Sequence, residues 1–160
     1  MKTYLTPIRL LWLVAGLIVL LAGCSTADST SPIGDDRPTD WTIVGYRIPG
    51  ISAMTNEQAQ TYHDRPIQFR SDEAVSGDER CAEPVYEINE EPAFDYLVIN
   101  YNLRAEDLGL NFVAGDTVEV MQIACGDQPW VTLGSTVLWD RPGHGYAVFD
   151  GVFFELEPAN

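Results

Sequence analysis

Lysine is almost missing from this chain of 160 residues: Lys2 is the only one, and the other eight basic residues are arginines. Against them stand 24 Asp and Glu, a formal net charge of −15. Holding a phosphate backbone takes clustered Lys and Arg, so nucleic acid is excluded as a partner. Histidine occurs twice and cysteine three times, and no Cys-x-x-Cys or His cluster suggests a zinc site. No EF-hand loop, P-loop or dinucleotide-type glycine pattern occurs, so no cofactor is expected. No apolar run reaches the roughly 20 residues that a membrane-crossing helix needs, and no internal repeat is visible. What remains is an ordinary globular composition, 46% hydrophobic and 21% charged, in a length suited to one folded domain.

The longest apolar run is Leu10 to Gly23, 14 residues that follow the positive Lys2 and Arg9. That layout matches the n-region and h-region of a signal peptide. The run closes with Leu21-Ala22-Gly23-Cys24. This resembles the lipobox of bacterial lipoproteins, which implies cleavage before Cys24 and acylation of that cysteine with diacylglycerol and a further chain such as palmitate. Ser25 follows Cys24; in such lipoproteins a residue other than Asp there implies delivery to the outer membrane. Several buried acyl chains, at roughly 0.8 kcal/mol per CH₂, anchor a soluble domain firmly. The alternative is an ordinary secretory signal or anchor helix with Cys24 incidental. On the lipoprotein reading, residues 1–23 are the signal peptide, 24–40 a lipidated cysteine and flexible tether rich in Ser, Thr, Asp and Pro, and 41–160 a single β-rich domain. Without Lys2 and Arg9, seven basic residues face 24 acids, a formal −17. Such a surface either steers a basic partner or is a solvation adaptation, for example to a salty habitat.

The leader implies an oxidising compartment, where paired cysteines bridge. With Cys24 acylated, Cys81 and Cys125 remain as one pair, and a structural disulfide is expected. The alternative is a redox or metal pair.

Within the domain, short β-rich runs separated by turn residues predominate. Strands are expected at Trp41–Ile48, from Ile67, at Pro84–Ile88, Thr117–Cys125, Thr136–Asp140, Tyr146–Phe149 and Val152–Leu156. Thr55 and Gln58 form a capping box for a helix from Asn56 to about His63. Phe94–Leu103 matches both periods, and its β-branched residues favour a strand. Arg104–Leu108 reads as a helical turn stopped at Gly109. Thr117–Cys125 changes phase midway, which a β-bulge near Val120 would reconcile. Asp150-Gly151 between two apolar runs is a hairpin signal. The expected fold is mainly β: a small antiparallel barrel or rolled sheet of about eight short strands with one or two short helices, the alternative being a β-sandwich.

Trp41 at the first strand, Pro49-Gly50-Ile51-Ser52-Ala53-Met54, Cys81-Ala82-Glu83-Pro84, Cys125-Gly126 and the closing Asp150–Leu156 segment together resemble small envelope lipoproteins of no established activity. In outline the chain also resembles lipocalin-like barrels and membrane-bound lysozyme inhibitors. It lacks the lipocalin glycine two residues before that Trp, and the inhibitors' Ser-Gly-x-x-Tyr type loop. No catalytic constellation emerges. Gly50-Ile51-Ser52-Ala53-Met54 has Met where a nucleophile elbow needs Gly, so Ser52 reads as a turn residue. His63 and His144 read as surface histidines. Acidic pairs such as Glu90-Glu91 are expected by chance in so acidic a chain. Trp130, between Pro129 and Val131, is the candidate exposed binding aromatic, with loop anchoring as the alternative. The expectation is a non-enzymatic binding or interaction module, anchored at the outer membrane and facing the periplasm, with a basic protein or cell-wall component as partner. The alternatives are inhibition of a basic lytic enzyme such as lysozyme, and a lipocalin-like small-ligand carrier.

Overall fold

Strand β1 (Asp40–Arg47) buries Trp41 and Ile43 on one side, the period-2 pattern of a strand laid over a core. It starts the ordered sheet of the computed structural model, which describes residues 33–34, 37–110 and 112–160. The leader, the lipobox and Cys24 lie outside the described residues. Nine further strands follow: β2 (Pro66–Phe69), β3 (Glu73–Ser76), β4 (Glu79–Ala82), β5 (Pro84–Pro92), β6 (Thr117–Cys125), β7 (Gln128–Pro129), β8 (Thr136–Arg141), β9 (His144–Phe149) and β10 (Val152–Pro158). Helix α1 (Asn56–Gln60) lies between β1 and β2; helix α2 (Ala93–Tyr101) and a 3-10 turn (Ala105–Leu108) lie between β5 and β6.

All ten strands pair antiparallel in one sheet ordered β4-β3-β2-β1-β10-β9-β8-β6-β5, with β7 on the free stretch of β6. The sheet curls into a half-barrel. Phe69 on β2 and Trp139 on β8 stand four strands apart in that order, yet their rings meet edge-on at 6.2 Å. Phe69 also meets Tyr86 on β5 at 6.4 Å. The Cys81–Cys125 disulfide joins edge strand β4 to β6, with Cα atoms 5.4 Å apart. A mainly β, rolled antiparallel sheet is therefore the architecture, as expected; it is a single curled sheet and not a sandwich.

The concave face is filled by side chains. Trp41, Phe69, Met121, Trp139 and Phe154 are buried there with Ile67, Leu133 and Leu156. Trp41 and Trp139 lie 4.6 Å apart between ring centroids. Gly145 lies directly beneath Trp139: a Cβ on Gly145 would come within 2.5 Å of that indole. The convex face carries a second cluster, in which Ala93, Leu97, Leu103 and Leu108 cover Val118, Val120, Leu138, Tyr146 and Phe153.

These two clusters explain the phase change in β6. Its pairing with β5 runs unbroken from Pro84↔Cys125 to Pro92↔Thr117, so the expected bulge near Val120 does not occur. Val118 and Val120 face the helical layer, while Met121 and Ile123 face the concave core. Both faces are covered, so both parities are apolar.

Phe94–Leu103 is helical over Ala93–Tyr101, which corrects the strand expectation. As a strand it would have put Ile99 on the same face as Leu97; Leu97 is buried and Ile99 is 79% exposed. Ala93 and Leu97, one turn apart, seat the helix on the sheet. Asn102 ends it in the left-handed conformation (φ 55°), and Leu103 N–H returns to the Leu97 carbonyl, a Schellman-type stop.

Ten strands stand against the expected eight because Phe94–Leu103 is lost to α2, while the β3–β4 hairpin, turning at Gly77 (φ +61°), and the two-residue β7 are added. Helix α1 carries its capping box, Thr55 with Gln58, but ends at Gln60, short of His63. At the other hairpin, Asp150 and Gly151 both take positive φ (51° and 79°), as a type I′ turn requires.

The folded part also begins earlier than Trp41. Ile33 is 2% exposed and belongs to the concave core. Arg37 stacks over the Trp139 ring at 5.3 Å and forms a bidentate ion pair with Glu119, one arm of which is Nη2 to Oε2 at 2.9 Å. Ile33 and Arg37, both within the expected tether, are thus docked on the sheet.

Candidate functional site

The residues singled out from sequence do not converge. Cys81 and Cys125 are bridged at the β4–β6 corner. Trp130 is not the exposed aromatic expected: it is 8% exposed and packs into the concave cluster, with its backbone N–H on the Ile123 carbonyl at 3.2 Å. It anchors the loop after β7, and only its edge borders an open depression of about 440 Å³ shared with Val85, Gln122 and Pro129. Ser52 is a latch. Its hydroxyl donates to the Asp150 carbonyl at 2.9 Å and accepts from Met54 N–H, so it pins the β9–β10 turn to the loop before α1. His63 is half-exposed beside Asp64.

His144 is the departure. It was expected in a surface turn, but it opens strand β9 and is 5% exposed. Its Nδ1 lies 2.5 Å from Asp140 Oδ1 and its Nε2 2.8 Å from Glu155 Oε1. Arg141 donates to the other oxygen of Asp140 at 2.7 Å. Asp140 comes from the end of β8, His144 from the start of β9 and Glu155 from the middle of β10. The cluster therefore ties three neighbouring strands together on the convex face. The hairpin bulge between Trp139 and Arg141 turns Asp140 toward the ring. Each ring nitrogen of His144 thus has its own carboxylate partner. Tyr146 stacks edge-on to His144 at 5.2 Å. Burial raises the Tyr146 phenol above its ordinary value, with Glu155 and Asp140 adding to the rise and Arg47 opposing it.

Both nitrogens of His144 are engaged and its ring is enclosed, so the cluster offers no free base to a substrate. The two carboxylates sit on opposite sides of the ring and do not converge on one point. Among the described residues, no group of three or more His, Cys, Asp or Glu is arranged to hold a metal ion. The cluster reads as a structural knot.

The surface with binding character is on α2. Phe94 is 61% exposed, Ile99 79% and Val113 69%, and Val98 adds a further apolar contact one turn from Phe94. Phe94 and Val113 line an open groove of about 400 Å³ between the start of α2 and the Phe112–Asp116 loop. The loop is held in shape by Asp116, whose carboxylate accepts from Val113 N–H at 2.7 Å and whose carbonyl accepts from Ala93 N–H at 3.0 Å. Composition gave no sign of this site, because α2 read as a strand; the helical spacing of Phe94 and Val98 beside Ala93 and Leu97 was the usable signal.

The chain matches no family model, no curated protein and no solved structure.

Proposed function

We propose that this chain is a non-enzymatic interaction module of the bacterial cell envelope, anchored by acylation of Cys24 at the outer membrane and facing the periplasm. The observation that carries the reading is the exposed apolar groove of α2, with Phe94 and Val113 as its walls. Large apolar side chains grouped on a surface mark interaction sites, whereas scattered ones do not. The concave face supports surface recognition in preference to carriage of a small ligand, since Trp41, Phe69, Met121, Trp139 and Phe154 occupy it. Eight residues lie between Cys24 and Ile33, nine steps along the chain and a reach of at most about 30 Å. The domain would thus work close to the membrane surface.

Two measurements test this. Metabolic labelling with palmitate should mark the full chain and not Cys24→Ala; label retained by Cys24→Ala refutes the anchor. A photo-crosslinking side chain at position 94 should give adducts in the envelope that the same group at Gln60 does not. Equal adducts from both positions, or none from either, refute the interaction surface.

A further inference from the structure

We infer that the α2 groove receives the apolar side chains of a basic, amphipathic polypeptide segment of another protein; this rests on the interaction-module reading above. The groove is apolar at its walls and acidic around them. Between Pro84 and Asp116, the stretch that builds it, there are seven acids and one arginine, Arg104. That arginine is already engaged with Glu106 at 3.3 Å. Asp95 and Asp116 line the groove itself, and Glu91, opposite Val118 on the α2 side of the sheet, lies at the end of the strand that leads into α2.

Charge selects among occupants of an apolar groove. An anionic lipid surface would be repelled by these acids. A second copy of the chain would set Asp95, Asp116 and their acidic neighbours against themselves, at the cost that like charges carry across an interface. A segment with one or two large apolar side chains flanked by Lys or Arg meets both demands. The apolar residues enter between Phe94 and Val113, and the cations face Asp95, Asp116 and Glu91. Encounter is then steered by the long-range field of a chain whose net charge, without Lys2 and Arg9, is −17.

The test uses the full chain held in phosphatidylcholine nanodiscs, with empty discs as the blank. The probe is a short labelled peptide of Leu and Lys patterned as an amphipathic helix, compared with its Leu/Glu counterpart. The Leu/Lys peptide should bind, more weakly as salt rises, and the Leu/Glu peptide should not. Phe94→Ser should weaken binding about tenfold or more, as loss of a central aromatic anchor does. Asp95→Lys, an exposed charge reversal, should weaken Leu/Lys binding and admit the Leu/Glu peptide. Equal binding of the two peptides, no binding of either, or binding indifferent to both substitutions overturns the proposal. So does protection of α2 amides by phosphatidylglycerol discs without peptide, which would make lipid the occupant. Self-association abolished by Phe94→Ser would make it a second copy. If position 94 still crosslinks in the envelope while the Leu/Lys peptide fails to bind, the interaction module stands and only its basic partner falls.

Discussion

Adding a single methyl group at Gly145 should damage the core more than its size suggests. Gly145 does not need a left-handed backbone; it needs the space that its missing side chain leaves for Trp139. A Cβ there would sit 2.5 Å from Cε3 and 3.0 Å from Cζ3 of the indole, and 2.8 Å from the Leu138 carbonyl oxygen. Ordinary carbon contacts lie at about 3.5–4.0 Å, so the ring would have to move by about 1 Å. It has nowhere to go. Trp41 lies against it at 4.6 Å, Phe69 meets it at 6.2 Å and the Arg37 guanidinium covers it at 5.3 Å. Overpacking a closed core costs about 1–3 kcal/mol, and this site belongs at the upper end. Unfolding entropy of about 2.1 cal/mol/K per residue over roughly 125 residues converts about 3 kcal/mol into a Tm lower by about 11 °C. Thermal unfolding of Gly145→Ala, followed by near-ultraviolet circular dichroism, reads both the stability and the Trp41–Trp139 pair. Gly126→Ala is the control. Gly126 has φ +61° and nothing within 4 Å of its Cβ position, so only backbone strain of about 1 kcal/mol applies. If Gly145→Ala melts within about 2 °C of the parent with an unchanged aromatic spectrum, Trp139 is not wedged and the account of the concave core is wrong.

Replacing both Cys81 and Cys125 by Ala should cost about 4 kcal/mol, since the bridge closes a loop across 44 positions; denaturant titration that finds less than about 1 kcal/mol would reject the chain-entropy account. Burial raises the phenols of Tyr86 and Tyr101 above their ordinary value of 10.0, with the Asp72 charge adding at Tyr86 and Tyr96 at Tyr101. A folded value above the unfolded one means stability is fully present below about pH 10 and falls as pH rises past it. The phenolate absorbance of these residues should therefore emerge with alkaline unfolding, and free titration in the folded chain would contradict their burial. His144→Leu should cost about 2–3 kcal/mol by leaving the enclosed Asp140 with Arg141 alone; a neutral result in thermal melting would show that the three-strand knot does not contribute.

Local chemistry alone settled several elements of this protein. Thr55 with Gln58 caps α1 because both hydrogen bonds close within four residues. Asp150-Gly151 makes its hairpin because the turn needs two residues that tolerate positive φ. The Cys81–Cys125 pairing followed from the proposal that Cys24 is acylated, which leaves two cysteines, and the structure bridges them. The general β character followed from alternating apolar runs.

Tertiary burial decided the rest. Phe94–Leu103 carries both periods, and what makes it a helix is the cluster of Val118, Val120 and Phe153 waiting beneath Ala93 and Leu97. The same second layer makes both faces of β6 apolar, which looked like a bulge when only one face was assumed covered. The β3–β4 hairpin was too polar to stand out, and it is held by pairing to β2 and by the bridge at Cys81. His144 and Trp130 sit in stretches that read as turn and loop, yet both are enclosed. Trp130 is enclosed by a concave core assembled from strands distant in sequence, while His144 is enclosed between Asp140 and Glu155, four and eleven residues away, which reach it only once β8, β9 and β10 have paired. Ile33 and Arg37 dock for the same reason: their partners, the concave core and Glu119, exist only once the sheet has curled.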